Sequence, residues 1–185
     1  GDLKFADVNG DGKITPDDRT KIGDPTPDVT YGISLGLSYK NWELSMEMMG
    51  QGGNQIYRTW DNYNWAQFNY MEQRLDRWHG EGTSNTQPLL NTKHAINSEN
   101  SEYFSEDGSF FRIRNLQLAY RFDKTLLSKI RMQALKVYVN IQNLKTWKHN
   151  TGYTPELGGT ATAFGVDNGS YPVPAVYTFG INLTF

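Results

Sequence analysis

The sequence predicts an all-β chain: five antiparallel strands that cross a membrane as part of a large β-barrel, with long extracellular loops between them. Three observations carry this reading. The last eleven residues, Ala175 to Phe185, alternate strictly: Ala175, Tyr177, Phe179, Ile181, Leu183 and Phe185 fall on one face, Val176, Thr178, Gly180, Asn182 and Thr184 on the other. That length is what a tilted strand needs to cross a bilayer. The composition, with 11 Tyr, 9 Phe, 5 Trp and 18 Gly among 185 residues, suits strands and turns. No window supplies eighteen apolar residues, so a transmembrane helix is excluded, whereas a barrel tolerates low overall hydropathy because its lumen face and loops are polar.

Charge and cysteine content narrow the function classes. Eighteen basic residues oppose twenty acidic ones without a basic run, which argues against a nucleic-acid partner. No cysteine is present, so disulfides and thiolate metal sites are excluded. The chain opens on Gly1-Asp2-Leu3-Lys4 without a signal peptide, and an exported protein is expected to have a preceding segment.

Residues 1–28 form an extracellular loop region built around a calcium-type motif. Asp7, Asn9 and Asp11 occupy ligand positions 1, 3 and 5 of the twelve-position calcium loop, Gly12 permits the sharp turn, the Lys13 carbonyl supplies position 7 and Asp18 closes the shell. A structural Ca2+ ion is the expected cofactor, since a hard cation takes six to eight oxygens. Asp18 is shorter than the usual Glu, and no amphipathic helix precedes Asp7, so a helix-loop-helix sensor is not expected. The alternative is an Asx-rich turn that closes without an ion.

From residue 29 to 185 the chain reads as strands. Val29, Tyr31, Ile33, Leu35, Leu37 and Tyr39 alternate with Thr30, Gly32, Ser34, Gly36 and Ser38. Lys40-Asn41 makes a two-residue turn, and Trp42, Leu44, Met46 and Met48 return with Glu43, Ser45 and Glu47 on the other face. Tyr39 and Trp42 at this tip suit an interfacial aromatic girdle.

The first long loop, 51–109, exceeds an ordinary connection and is therefore expected to have a function. Phe68, Met71, Leu75 and Trp78 lie at helical spacing, which predicts a short amphipathic helix from about Ala66 to Trp78. Tyr57, Trp60, Tyr63, Trp65 and Tyr70 are the candidate substrate-binding residues: flat rings interleaved with Arg58, Asp61, Asn62 and Asn64 suit a sugar or peptide, although such rings also pack loops.

A third strand spans Phe110 to Phe122, followed by a short helical turn capped by Asp123 in which Leu126, Leu127 and Ile130 share a side. The fourth runs roughly Leu135 to Lys145, and the second long loop, 146–174, precedes the terminal strand. His79, His94 and His149 have no metal spacing and no nucleophile motif appears, so an enzyme is not expected. Alternation of short and long connections places both long loops on one side of the membrane. Five strands leave open edges that lipid does not tolerate, so the chain should belong to something larger.

The terminal Phe185 resembles the C-terminal signal of bacterial outer-membrane barrels. More widely, the chain resembles the SusC/RagA type of TonB-dependent outer-membrane transporter. The likeness runs through Gly1-Asp-Leu-Lys-Phe5, Asp7-Val-Asn-Gly-Asp-Gly12, Tyr31-Gly-Ile-Ser-Leu-Gly-Leu-Ser-Tyr39, Asp107-Gly-Ser-Phe-Phe-Arg-Ile-Arg-Asn-Leu116, Gln142-Asn-Leu144, Gly152-Tyr-Thr-Pro-Glu156 and Thr178-Phe-Gly-Ile-Asn-Leu-Thr-Phe185. Thr154 stands where the family often has Asp, and Ala175 where it often has Arg. The resemblance implies a barrel of about 22 strands with a plugged lumen. It also implies a location in the outer membrane in contact with its lipid, a SusD-like surface lipoprotein as partner, TonB engaged through a segment upstream, and import of a glycan or peptide. The rival expectation is a secreted, calcium-stabilised β-sandwich that binds glycans.

Overall fold

The computed structural model describes residues 1–61, 69–90, 95–128 and 131–185. Its dominant element is a five-stranded antiparallel sheet. In chain order the strands are β1 (Val29–Tyr39), β2 (Trp42–Gly52), β3 (Gln55–Arg58), β4 (Ser105–Asp107), β5 (Phe110–Arg121), β6 (Ala134–Lys148), β7 (Val166–Asp167) and β8 (Val176–Thr184). The large sheet is ordered β1-β2-β5-β6-β8, a meander in which each long strand pairs with the next long one. The predicted strands are therefore present. β6 runs past the expected Lys145 to Lys148, and β2 extends into residues read as loop.

Each turn has a local cause. Lys40 takes φ 53°, the positive value that lets a two-residue connection follow the twist of the strands. Asn41 Nδ2 donates to the Asp123 carboxylate at 2.9 Å, tying the turn to the start of α1 (Lys124–Ser128). In that helix Leu127 is buried and Leu126 exposed; the expected third member of its apolar side, Ile130, lies outside the described residues.

The register explains how one face becomes continuous. Leu37 opposes Leu44, Leu44 opposes Leu118, Leu118 opposes Val139 and Val139 opposes Phe179. The next row runs Leu35, Met46, Leu116, Ile141 and Tyr177. Period-2 alternation puts the small and polar residues on the other face. Bulges interrupt the ladder at Glu47/Met48 against β5 and at Ile113/Asn115 against β6, where Asn143 takes φ 53°. They switch the outward set of β5 from even numbers (Leu116, Leu118, Tyr120) to odd (Phe111, Ile113), keeping apolar residues on one side.

The chain divides into two compact units. One comprises Thr26–Asn54, Asp107–Glu156 and Ser170–Phe185 and contains the large sheet. The other comprises Gly1–Pro25, Gln55–Glu106 and Leu157–Gly169, so the first residues pack with parts of both long loops. Its centre is a small sheet ordered β4-β3-β7, with β3 and β7 parallel. The helix expected from Ala66 to Trp78 is not seen where it is described: only Glu72–Asp76 is helical, as a 3-10 turn, and residues 66–68 lie outside the described residues. Met71 and Leu75 are exposed there, so they form no apolar seam that would repay a longer helix.

Candidate functional site

The large sheet has its big apolar side chains on the outside. Leu37 is 54 % exposed, Phe179 78 % and Ile181 65 %, and Val29, Ile33, Leu118 and Leu183 are also exposed. A soluble sandwich would cover this face with a second sheet. The exposed face replaces that rival expectation with a surface suited to hydrocarbon.

Two aromatic rows frame the face. At the hairpin end, Trp42 and Tyr120 meet edge to face at 4.9 Å, beside Tyr39 and Phe122. At the other end Tyr31 stacks on Phe111 at 6.3 Å and Phe111 on Trp147 at 5.6 Å. The first row was expected from sequence and the second was not. Gly50 lies between Tyr31 and Phe111 in the register, so the rings close over a residue that contributes none. The run from Tyr31 to Tyr39 is about 26 Å along the strand, the scale of a membrane-barrel apolar band.

The opposite face is polar and tied by charge. Glu43 accepts from Lys136 Nζ at 2.8 Å and pairs with Arg121 Nε at 2.8 Å, joining β2, β5 and β6. Beside them Gln117 opposes Asn140, and Asn115 opposes Gln142. Gly180 lies under the Tyr138 ring, where a Cβ would collide with ring atoms. Arg112, buried, donates to Thr146 Oγ1 at 2.7 Å, pairs closely with Glu156 and lies 5.5 Å from the Phe110 ring centre. Asn150 and Thr154, also buried, and Lys148 donating to the Asn150 carbonyl at 2.7 Å hold the loop that bears Glu156. Arg112 was not singled out in the sequence; an arginine at an inward strand position beside Phe110 was the available signal.

In the unit built from loops, Ile56 and Phe104 form the core. Arg58 reaches Glu106 at 2.8 Å, Asp61 at 3.8 Å and the Tyr103 carbonyl at 3.2 Å, with Tyr103 under its guanidinium at 5.0 Å. Arg74 adds a second contact to Asp61 at 3.3 Å. A cavity of about 310 Å3 is lined by residues including Ile22, Pro25, Gln55, Tyr57, Asn100 and Phe164. Tyr57 donates to Asn100 Oδ1 at 2.9 Å, and burial raises its phenol pKa above the ordinary value. Of the ring candidates, Tyr57 lines this cavity. Trp60 is half-buried near Gly169, with its Nε1 buried and unpartnered among the described residues. Tyr70 is also half-buried, while Tyr63 and Trp65 lie outside the described residues.

The loop from Asp7 to Asp18 is closed by its own amides. Asp7 accepts from the Gly10, Asp11 and Gly12 amides, and Asn9 Oδ1 from Asp11 at 3.0 Å. Asp11 accepts from the Lys13 amide at 2.8 Å. Asp18 accepts from Val8 at 2.9 Å and Asn9 at 3.3 Å through one oxygen and from Thr15 at 2.7 Å through the other. The Thr15 amide, followed by those of Val8 and Asn9, lowers the Asp18 pKa. The donor set is hard oxygen throughout, as calcium requires, while among the described residues no three His, Cys, Asp or Glu side chains are gathered as for a metal ion.

No family model matches the chain. It is 32 % identical over its whole length to TonB-dependent receptor P26 of Formosa agariphila, covering 20 % of that protein. It is 24 % identical over 98 % of its length to TonB-dependent receptor SusC of Bacteroides thetaiotaomicron, covering 17 %. A solved structure of the RagAB peptide transporter superposes on 94 % of the chain with a TM-score of 0.78 at 26 % identity, over 19 % of that chain. The chain thus spans about a fifth of the length of such relatives. An apolar outer face framed by aromatic rows, a polar inner face and this set of likenesses agree: the chain belongs to the SusC/RagA type of TonB-dependent outer-membrane receptor, and contributes five neighbouring strands of its barrel.

Proposed function

We propose that the receptor containing this chain imports an oligosaccharide or peptide across the outer membrane, with a SusD-like surface lipoprotein at its mouth and TonB supplying the energy. The observation that carries the reading is the two-faced sheet, with hydrocarbon-facing rows on one side and the Glu43-Lys136-Arg121 cluster on the other. Likeness to TonB-dependent receptor SusC and to the RagAB peptide transporter supports both the class of reaction and the class of partner. The chain acts as wall and loop, in a non-enzymatic role.

Within this reading Tyr57, Trp60, Tyr63, Trp65 and Tyr70 contact substrate. Tyr57 presents a ring and a hydroxyl to a cavity, and the Trp60 indole N–H lacks an acceptor among the described residues. Loop 7–18 takes a structural calcium ion through Asp7, Asn9, Asp11, the Lys13 carbonyl and Asp18; the hard-oxygen donor set supports this, and the amide-closed turn opposes it. The test of import is uptake of labelled peptide and labelled oligosaccharide by cells carrying or lacking the receptor gene. Loss of uptake of one class supports the proposal and names the substrate, and undiminished uptake of both contradicts it.

A further inference from the structure

The lipid-facing surface has one charge in its register rows. Lys145 opposes Ile113 and lies two residues before Trp147 on the same face of β6, where Trp147 stacks on Phe111. It is exposed, as is Arg114 at the adjoining bulge of β5. Every other register position of this face on the five strands is apolar, tyrosine or glycine, as Ile33, Leu44, Leu116, Val139 and Phe179 illustrate.

A lysine in hydrocarbon is unfavourable at the midplane and nearly neutral near an interface. Lys145 lies about 7 Å along the strand from the Trp147 row, within the reach of a four-carbon stem that leads its ammonium to the level of the rings. Aromatic rows mark the headgroup level, and what an ammonium meets there is phosphate.

Resting on the outer-membrane barrel reading, we propose that Lys145, flanked by Trp147 and Phe111, holds the phosphate of a lipid headgroup in the leaflet on the long-loop side. The occupant is a lipid because the cation stands on the hydrocarbon-facing surface: acyl chains lie along Ile113, Ile141 and Tyr177 while the phosphate meets the ammonium.

The test uses the whole receptor in maltoside micelles, titrated with phosphatidic acid and, as an uncharged control with the same chains, diacylglycerol. A parallel set carries Arg114→Gln so that the neighbouring cation cannot stand in. Wild type should bind phosphatidic acid more tightly than diacylglycerol. Lys145→Gln should weaken phosphatidic acid about fivefold, leave diacylglycerol unchanged and be rescued by Lys145→Arg. Equal phosphatidic acid affinity in wild type and Lys145→Gln overturns the proposal, as does displacement of the lipid by equimolar inorganic phosphate. Failure of the barrel reading would show separately, as a wild-type receptor that does not assemble in membranes.

Discussion

The sheet and the loop unit obey opposite rules of burial within one chain. In the loop unit Ile56 is 1 % exposed and Phe104 fully buried, with charges such as Arg58 and Glu106 paired inside. In the sheet, large side chains such as Phe179 and Tyr39 are among the most exposed, and ionic contacts lie on the other face. The difference identifies the solvent of each: the loop unit is built for water, the sheet's outer face for hydrocarbon. It also warns against reading exposure of apolar residues as instability when the strands have membrane length.

The largest effect should come from charging the row midway between the aromatic rows. Leu35→Arg is expected to cost about 2–4 kcal/mol of barrel stability, whereas Gln117→Arg on the polar face costs little. Urea unfolding of the receptor in vesicles measures both, and equal costs would break the contrast. Next, Arg58→Met in the loop unit removes the buried cation that Glu106 and Asp61 share, leaving Asp61 with Arg74, and should cost about 3 kcal/mol locally. Hydrogen exchange at the Tyr57 and Thr59 amides reports it, with exchange in β1 and β8 unchanged.

Smaller still is Gly180→Val, which forces the Tyr138 ring off the sheet. A loss of about 1–3 kcal/mol is expected, and Gly180→Val with Tyr138→Ala should recover part of it. Weakest are the effects at the exposed loop 7–18. The folded pKa of Asp18 is depressed, so its contribution is complete above the unfolded value of about 3.9 and is lost as pH falls through the lower folded value. Protection of the Val8 and Asn9 amides, taken relative to their intrinsic exchange at each pH, should therefore hold down to about pH 4 and fall below it. Calorimetric titration with calcium should show heat that Asp7→Asn abolishes, and no heat at millimolar calcium contradicts the ion.

Most of the sheet was legible in sequence because alternation is local: Val29 to Tyr39 and Val176 to Thr184 state their two faces residue by residue. The second aromatic row was not, because it depends on bulges that reverse the phase between Phe111 and Leu116, and on Gly50 bringing Tyr31 near Phe111. The small sheet was hidden for another reason. β3 and β7 pair across more than a hundred residues, and four-residue and two-residue strands have too little pattern to announce themselves. Spacing alone suggested a helix through Met71 and Leu75, but both side chains are exposed among the described residues and so do not form a buried stripe. Tyr57 was legible as a ring in a long loop, whereas its cavity depends on Ile22 and Phe164 from distant segments.

The central claim is that one face of the five strands touches lipid. Because the chain has no cysteine, single cysteines at Phe179 and at Asn140 can each be labelled with a fluorophore in a receptor whose other segments are cysteine-free, reconstituted in liposomes containing brominated lipid. The account predicts strong quenching at position 179 and weak quenching at 140; equal or reversed quenching would contradict it.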